Sequence, residues 1–301
     1  MKIAISGASG LIGSALVTEL GSAGHDIVKL VRSAPRSAGE LRWDPMADAG
    51  GLDPAALSGV DAVIHLSGAP IADKRWTTAR KSELRSSRIT STCALVAAMA
   101  AADPSPAVLI CGSAMGYYGE TGDKITDESS PAGTGFLPDL VRDWESAAAA
   151  ATRSGARVVN IRTGVVLTAG GGMLGRLMLP FRFGLGARIG AGTQYLSWIS
   201  LTDEVRAIEF LLSTSDIEGP VNLTAPEPVT NAEFTRALAE ALHRPAILRL
   251  PSVLLSTALG EVAGELLASA RVVPARLQEA GFTFRTPDIR STLTSVLAPP
   301  S

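Results

Sequence analysis

The chain opens on an apolar hexamer, Met1 to Ser6, that runs directly into glycines at three-residue spacing, Gly7, Gly10 and Gly13. Behind them, Leu11 to Leu20 carries apolar residues at 11, 12, 15, 16 and 20, the stripe of an amphipathic helix, and His25 to Val31 reads as a second strand. Strand, glycine turn, helix and strand in that order build an anion site, because the unpaired N–H groups and positive dipole end of a helix face the ligand. The pattern therefore predicts a dinucleotide site. Gly7 is expected to take the tight turn, Gly10 to let the backbone approach phosphate, and Gly13 to let the helix pack closely on the sheet.

In such a site the ribose 2′ position is read just beyond the second strand, by an acid for a hydroxyl and by a base for a phosphate. This strand ends Leu30-Val31-Arg32 with no carboxylate. Arg32, with Arg36 nearby, suits a 2′-phosphate through charge-assisted hydrogen bonds, so NADP(H) is expected over NAD(H). The plainer alternative is a solvated arginine at a strand end.

At 301 residues the chain suits one large α/β domain with a smaller lobe. Its net charge of −2, with both signs interspersed, argues against nucleic-acid and polybasic membrane partners and leaves a small-molecule substrate. Cys93 and Cys111 have no metal-ligand spacing to each other or to His25, His65 or His243, so no metal is expected and a reducing cytoplasm is. No uncharged apolar window reaches membrane-spanning length, so a soluble protein is expected.

Strand-like runs at 2–6, 26–31, 61–66, 107–111 and 157–161 alternate with helical stretches near 11–23, 77–102 and 136–154. That alternation predicts a Rossmann-type α/β fold, a doubly wound parallel sheet with helices on both faces. After Leu167 the texture changes to glycine-rich stretches, Thr168 to Gly172 and Gly184 to Gly192. Further elements are expected as helix 202–213, strand 220–223, helix 230–242, strand 246–250 and a helical C-terminus. The expected division is a cofactor domain over 1–167 with parts of 195–225, and a smaller C-terminal substrate lobe over 168–194 and 226–301.

With the glycine turn, Asp61 to Ala69, Gly112 to Gly119 and Trp198 to Val205, the chain resembles an extended short-chain dehydrogenase/reductase. More closely, Phe136-Leu137, Arg142 to Glu145, Arg162 to Leu167 and Val273 to Phe282 resemble an atypical branch of the NAD-dependent epimerase/dehydratase family with its own C-terminal extension. The resemblance implies that Gly7, Gly10, Leu11 and Ile12 contact the pyrophosphate and Arg32 the 2′-phosphate. It implies Asp44 on the adenine side, and Leu66, Ser67 and Gly68 along the middle of the cofactor. The helices over 77–102 and 136–154 correspond to those through which relatives pair, so a homodimer is an expectation and a monomer its alternative.

The same resemblance implies a catalytic tyrosine followed four positions later by a lysine, and this chain departs from it. Four residues on from Tyr117, Tyr118 and Tyr195 stand Thr121, Gly122 and Ile199, and Lys2, Lys29, Lys74, Lys81 and Lys124 all lie outside the stretch Phe136 to Glu145. A tyrosine without that lysine is about one part in a thousand ionised at neutral pH, a poor base, yet it still donates a proton. Reduction is therefore expected over alcohol oxidation. Ser113 and Tyr118 are the catalytic candidates; alternation predicts that one of Tyr117 and Tyr118 faces the crevice and the other the core.

Gln194, Tyr195, Trp198 and Ser200 are candidates to line the substrate pocket. Arg162 and Arg188 are weighed as ligands of an anionic substrate against a structural ion pair and a solvated loop charge, respectively. His65, in an apolar strand, reads as a core histidine. The reading of another class is a non-catalytic NADPH-binding sensor that regulates a partner.

Overall fold

The computed structural model describes residues 1–47 and 51–298. Seven strands form one sheet: β1 (Lys2–Ser6), β2 (Asp26–Val31), β3 (Glu40–Arg42), β4 (Ala62–His65), β5 (Val108–Ala114), β6 (Arg157–Thr163) and β7 (Gly219–Leu223). Their spatial order is β7-β6-β5-β4-β1-β2-β3, and every neighbouring pair is parallel. The chain thus runs outward from β1 in one direction, returns, and continues from β4 in the other. The crevice between the ends of β1 and β4 is where such sheets bind ligands.

Side chains alternate across this sheet because the pleat has period two. Ile3, Ile5, Ile64, Ile110, Val159 and Ile161 face a layer built by α1 (Leu11–Ser22) and, from later in the chain, residues 201–213. Ala4, Val63, Leu109, Cys111 and Val158 face Leu95, Met99, Trp144 and Ala148 on the other side. With both faces covered, β4 is wholly buried and its first three residues, Ala62 to Ile64, are continuously apolar ahead of His65.

The expected single helix over 77–102 is two, α2 (Thr78–Ser86) and α3 (Ile89–Ala101). Hydroxyl side chains explain the break. Ser91 donates to the Ser87 and Arg88 carbonyls at 2.7 and 3.0 Å and Thr92 to Arg88 at 2.7 Å, while Ser87 accepts from the Ala69 amide at 3.1 Å. Such bonds compete with the helical ladder and bend it. The stretch expected as helix over 136–154 is α4 (Phe136–Ala149) followed by a tighter turn, Ala150–Ser154. Strand β3 was not expected; at three residues it offers too little periodicity to read.

Beyond β6 lie α5 (Gly172–Arg182), α6 (Leu201–Ser213) and α7 (Asn231–Ala241). Leu174, Phe181, Trp198, Phe234, Leu238, Ile289 and Leu293 form a separate core there. Short ladders lace this part together: Val165–Leu167 with Trp198–Ser200, Ala187–Ile189 with Leu248–Leu250, and Ile125–Thr126 with Arg271–Val272. The last of these brings the C-terminal segment back beside Tyr118 and β7, where Asn222 Nδ2 donates to the Val273 carbonyl at 3.0 Å. Among the described residues, no helix is long and apolar enough to cross a membrane.

Candidate active site

Gly7 leaves β1 with φ +71°, a conformation costly for any residue with a Cβ, and a Cβ there would stand 2.8 Å from the Leu66 carbonyl carbon. Gly13 is equally constrained, since its Cβ would collide with the Gly7 carbonyl oxygen, so the helix packs against the turn itself as well as over the sheet. Gly10 precedes α1 as its N-cap and offers no side chain to the helix's free N–H groups, and no acid stands in the first turn. The positive end of α1 is thus left bare. This cradle, too tight for side chains and lacking an internal anion, fits a dinucleotide pyrophosphate.

A second bare helix end lies beside it. α5 starts at the N-cap Gly171, again with no side-chain cap and no acid in its first turn. A Cβ on Gly171 would reach within 3.2 Å of Leu11 Cδ1. The glycine-rich Thr168 to Gly172 stretch therefore reaches the Gly7 to Gly13 turn.

Arg32 is exposed at the end of β2 and has no ion-pair partner among the described residues. The next acid after it in the chain, Glu40, is already committed: its carboxylate accepts from the Arg36 amide at 2.8 Å and pairs with Lys29 at 3.1 Å. These contacts, with the Arg36 amide first, hold the Glu40 carboxyl below its usual range. Asp44 accepts from the Met46 amide at 3.1 Å and lies partly buried beyond β3.

Leu66, Ser67 and Gly68 leave β4, with the Leu66 amide donating to the Ser6 carbonyl at 3.2 Å. Against Gly68 lies a residue the sequence reading did not single out. A Cβ on Gly68 would stand 3.1 Å from the Arg88 Cζ, so the guanidinium packs on bare backbone. Arg88 is only 9% exposed, stacks at 5.2 Å on the Trp144 ring, and donates from its guanidinium to the Leu84 carbonyl at 3.3 Å. Among the described residues no carboxylate pairs with it. Burial first, and then the neighbouring Arg80 charge, lowers its pKa to about 10. The signal was available as an arginine following the hydroxyl run Ser86-Ser87, but only the helix break shows that it turns inward.

At the end of β5, Ser113 donates to Glu145 Oε1 at 2.6 Å. Glu145, on α4, also receives Arg162 Nε and Nη2, both at 2.8 Å. Arg162 comes from the adjacent β6, in register with Ser113. Its Nη1 donates to the Tyr118 hydroxyl at 2.9 Å, and that hydroxyl donates to Asn222 Oδ1 at 2.7 Å. Burial opposes the Arg162 charge, but Glu145 more than offsets it and raises the arginine's pKa. Burial also pushes the Tyr118 phenol up to about 12.

Strand alternation is not what separates the tyrosines. Tyr117 ends a short 3₁₀ turn, Met115–Tyr117, and Tyr118 caps it. Tyr118 is 2% exposed with its hydroxyl fully engaged. The Tyr117 ring lies 3.5 Å over the Arg162 guanidinium, and its hydroxyl has no hydrogen-bond partner among the described residues.

The pocket candidates divide. Trp198 is fully buried and donates to the Glu227 carbonyl, and Ser200 caps α6 by accepting from the Asp203 amide; both serve the fold. Gln194 and Tyr195 remain partly exposed. His65 is a core residue, bonded to Ser6 at 2.6 Å and Ser91 at 3.3 Å, and burial lowers its pKa to about 3.

A family model described as "NAD dependent epimerase/dehydratase family" matches residues 3–225, spanning the glycine turn, the β4 exit and the Ser113 network. The chain belongs to the NAD-dependent epimerase/dehydratase family. A second model, a domain of unknown function, matches 250–296, the C-terminal extension. An epimerase family protein of Mycobacterium tuberculosis is 54% identical over 94% of this chain and 93% of its own length. The crystal structure of human epimerase family protein SDR39U1 with NADPH superposes with a TM-score of 0.90 at 32% identity, covering 98% of this chain and 99% of that one. A nucleoside-diphosphate sugar epimerase of Corynebacterium glutamicum superposes at 0.82 with 34% identity, over 99% of this chain and 58% of that one. For an epimerase/dehydratase family member, the tyrosine-lysine pair is the missing part: among Tyr117, Tyr118 and Tyr195, none has lysine four places on.

Proposed function

We propose that this family member is an NADP(H)-dependent oxidoreductase with epimerase-like ancestry that acts as a reductase on a small molecule. The observation that carries the reading is the bare N-terminus of α1 facing Leu66 to Gly68, with the unpaired Arg88 guanidinium behind Gly68. Gly7, Gly10, Leu11 and Ile12 would hold the pyrophosphate, Arg32 the 2′-phosphate, and Asp44 the adenine side. The NADPH held by the human relative supports this cofactor choice. Cys93 and Cys111 are free thiols, in keeping with a reducing cytoplasm.

A bound nicotinamide would supply hydride; the chain must supply a proton and hold the substrate oxygen. Ser113 directs its own proton to Glu145, so its oxygen is left as an acceptor and would orient a substrate through a hydroxyl that the substrate donates, not through the carbonyl being reduced. Tyr118 is occupied at both its donor and acceptor positions and takes a positioning role, steadying Arg162. The proton donor in this reading is Tyr117, whose ring Arg162 fixes by stacking.

The test is NADPH binding by fluorescence, then oxidation of NADPH across a panel of carbonyl, enone and nucleotide-sugar compounds. Saturable binding with turnover supports the proposal; no binding at millimolar cofactor defeats it. The engagement of both Ser113 and Tyr118 in internal bonds favours one second reading, an NADPH-binding sensor. Tight binding, no turnover and a co-purifying partner would be its signature.

A further inference from the structure

Arg188 and Arg249 are direct partners in the short parallel ladder between 187–189 and 248–250. Paired residues of parallel strands project to the same face, so two like charges stand side by side, an arrangement that destabilises a ladder. Arg249 is exposed to water, whereas Arg188 is half-buried, and neither forms an ion pair among the described residues. Arg188 Nε is buried without a hydrogen-bond partner. The groove they share, about 810 Å³ between α7 and residues 244–249, adds Arg236, Arg244 and His243. Its one acid, Glu240, is bound by Arg290 from outside the groove. Arg244 is held by backbone carbonyls, those of Arg182 at 3.0 Å and His243 at 3.2 Å. Among the described residues none of the groove's four arginines forms an ion pair.

The arrangement is built rather than incidental. Arg188 crosses Gly192, which takes φ +72°; a Cβ there would lie 2.6 Å from Arg188 Cγ. The glycine is thus required for the arginine to lie where it does. Ala187 and Ile189 turn to the opposite face, and every residue around the groove comes from 188 or 232–249, away from the glycine turn and the Ser113 network.

We propose that this groove is a second binding site, for a small molecule carrying a di- or triphosphate. Such an anion offsets the Arg188–Arg249 repulsion and gives several guanidinium forks their charge-assisted bonds. The groove's volume is that of a small-molecule site, and a net charge of −2 for the whole chain does not extend the basic patch into a nucleic-acid track. Exposed Ile247 and Leu248 at its edge offer apolar surface for the rest of the ligand.

The test is thermal unfolding and isothermal titration of the full chain with inorganic pyrophosphate, against sulfate at equal ionic strength, with and without saturating NADPH. Pyrophosphate is expected to raise the melting temperature beyond sulfate, and to do so with NADPH present. R249E, which places a carboxylate beside Arg188, is expected to melt no lower than the unaltered protein without ligand and to lose the pyrophosphate shift. R249Q keeps the test valid should R249E misfold, and is expected to bind about tenfold or more weakly. ADP binding more tightly than pyrophosphate assigns a nucleotide; equal binding assigns an inorganic phosphate chain. No shift beyond sulfate, a shift abolished by NADPH, or equal binding by R249Q overturns the proposal. NADPH affinity is expected to be unchanged in R249Q, so this outcome is separable from the fate of the cofactor reading.

Discussion

Glu145 and Arg162 face each other through two parallel N–H···O bonds of 2.8 Å, a fork closed at the C-terminal ends of β5 and β6. Arg162 is 3% exposed and Glu145 13%, so neither charge is satisfied by water alone. Ser113 and Tyr118 hang from this pair, one on each partner.

Removing one half leaves the other charge buried. Glu145→Gln is expected to cost about 3–5 kcal/mol of unfolding free energy, measured in urea. A loss below about 1 kcal/mol would mean that the pair is open to solvent and does not organise the site.

The two tyrosines separate by readout. Tyr118→Phe leaves Asn222 Oδ1 and one Arg162 N–H without their partner and is expected to cost about 1–3 kcal/mol in stability while NADPH affinity holds. Tyr117→Phe is expected to leave the melting temperature unchanged and to reduce turnover on any substrate found. Full turnover in Tyr117→Phe removes it as the proton donor.

Arg88 and Arg32 are expected to act on cofactor binding in different ways. Arg88→Gln should weaken NADPH and NADH alike by about tenfold, as loss of one charge-assisted contact would. Arg32→Ala should weaken NADPH alone and so flatten the preference between the two. Titrations by fluorescence quenching decide it; equal NADPH affinity in Arg88→Gln and the unaltered chain would place the guanidinium off the ligand.

Glu204 provides a pH signature. It lies wholly buried on α6 with one carboxyl oxygen accepting from Thr163 at 2.8 Å and the other unpartnered, and burial raises its pKa from 4.5 to about 8. Between those values the folded chain keeps a proton that the unfolded chain has released, so the unfolding free energy falls as pH rises. The contribution is whole below pH 4.5 and is lost as pH passes about 8. Glu204→Gln is expected to flatten this slope, on the order of 1 kcal/mol per pH unit, in denaturation series from pH 5 to 8. An unchanged slope would show that another group carries it.

What the chain reveals before folding is what depends on neighbours in sequence. The Gly7 to Gly13 turn and the alternating apolar runs are local, and their elements form within a few residues of the expected bounds. The Ser113–Glu145–Arg162 network joins residues 32 and 17 positions apart, and the Tyr118–Asn222 bond spans 104. No periodicity encodes such partners; they follow from which strands the sheet sets side by side. Arg88 escaped notice for a related reason: its inward turn depends on Ser87, Ser91 and Thr92 taking helix carbonyls, a competition that apolar patterning does not report.

The bonds from Ser6 to His65 and from His65 to Ser91 pass through the floor of the crevice, tying β1, β4 and α3 at one imidazole. Sliding β4 by one residue against β1 would turn His65 toward the opposite layer and strand three polar groups in hydrocarbon. The gap between the two strands is therefore gauged from beneath, and the spacing of the mouth is inherited from a wholly buried ring.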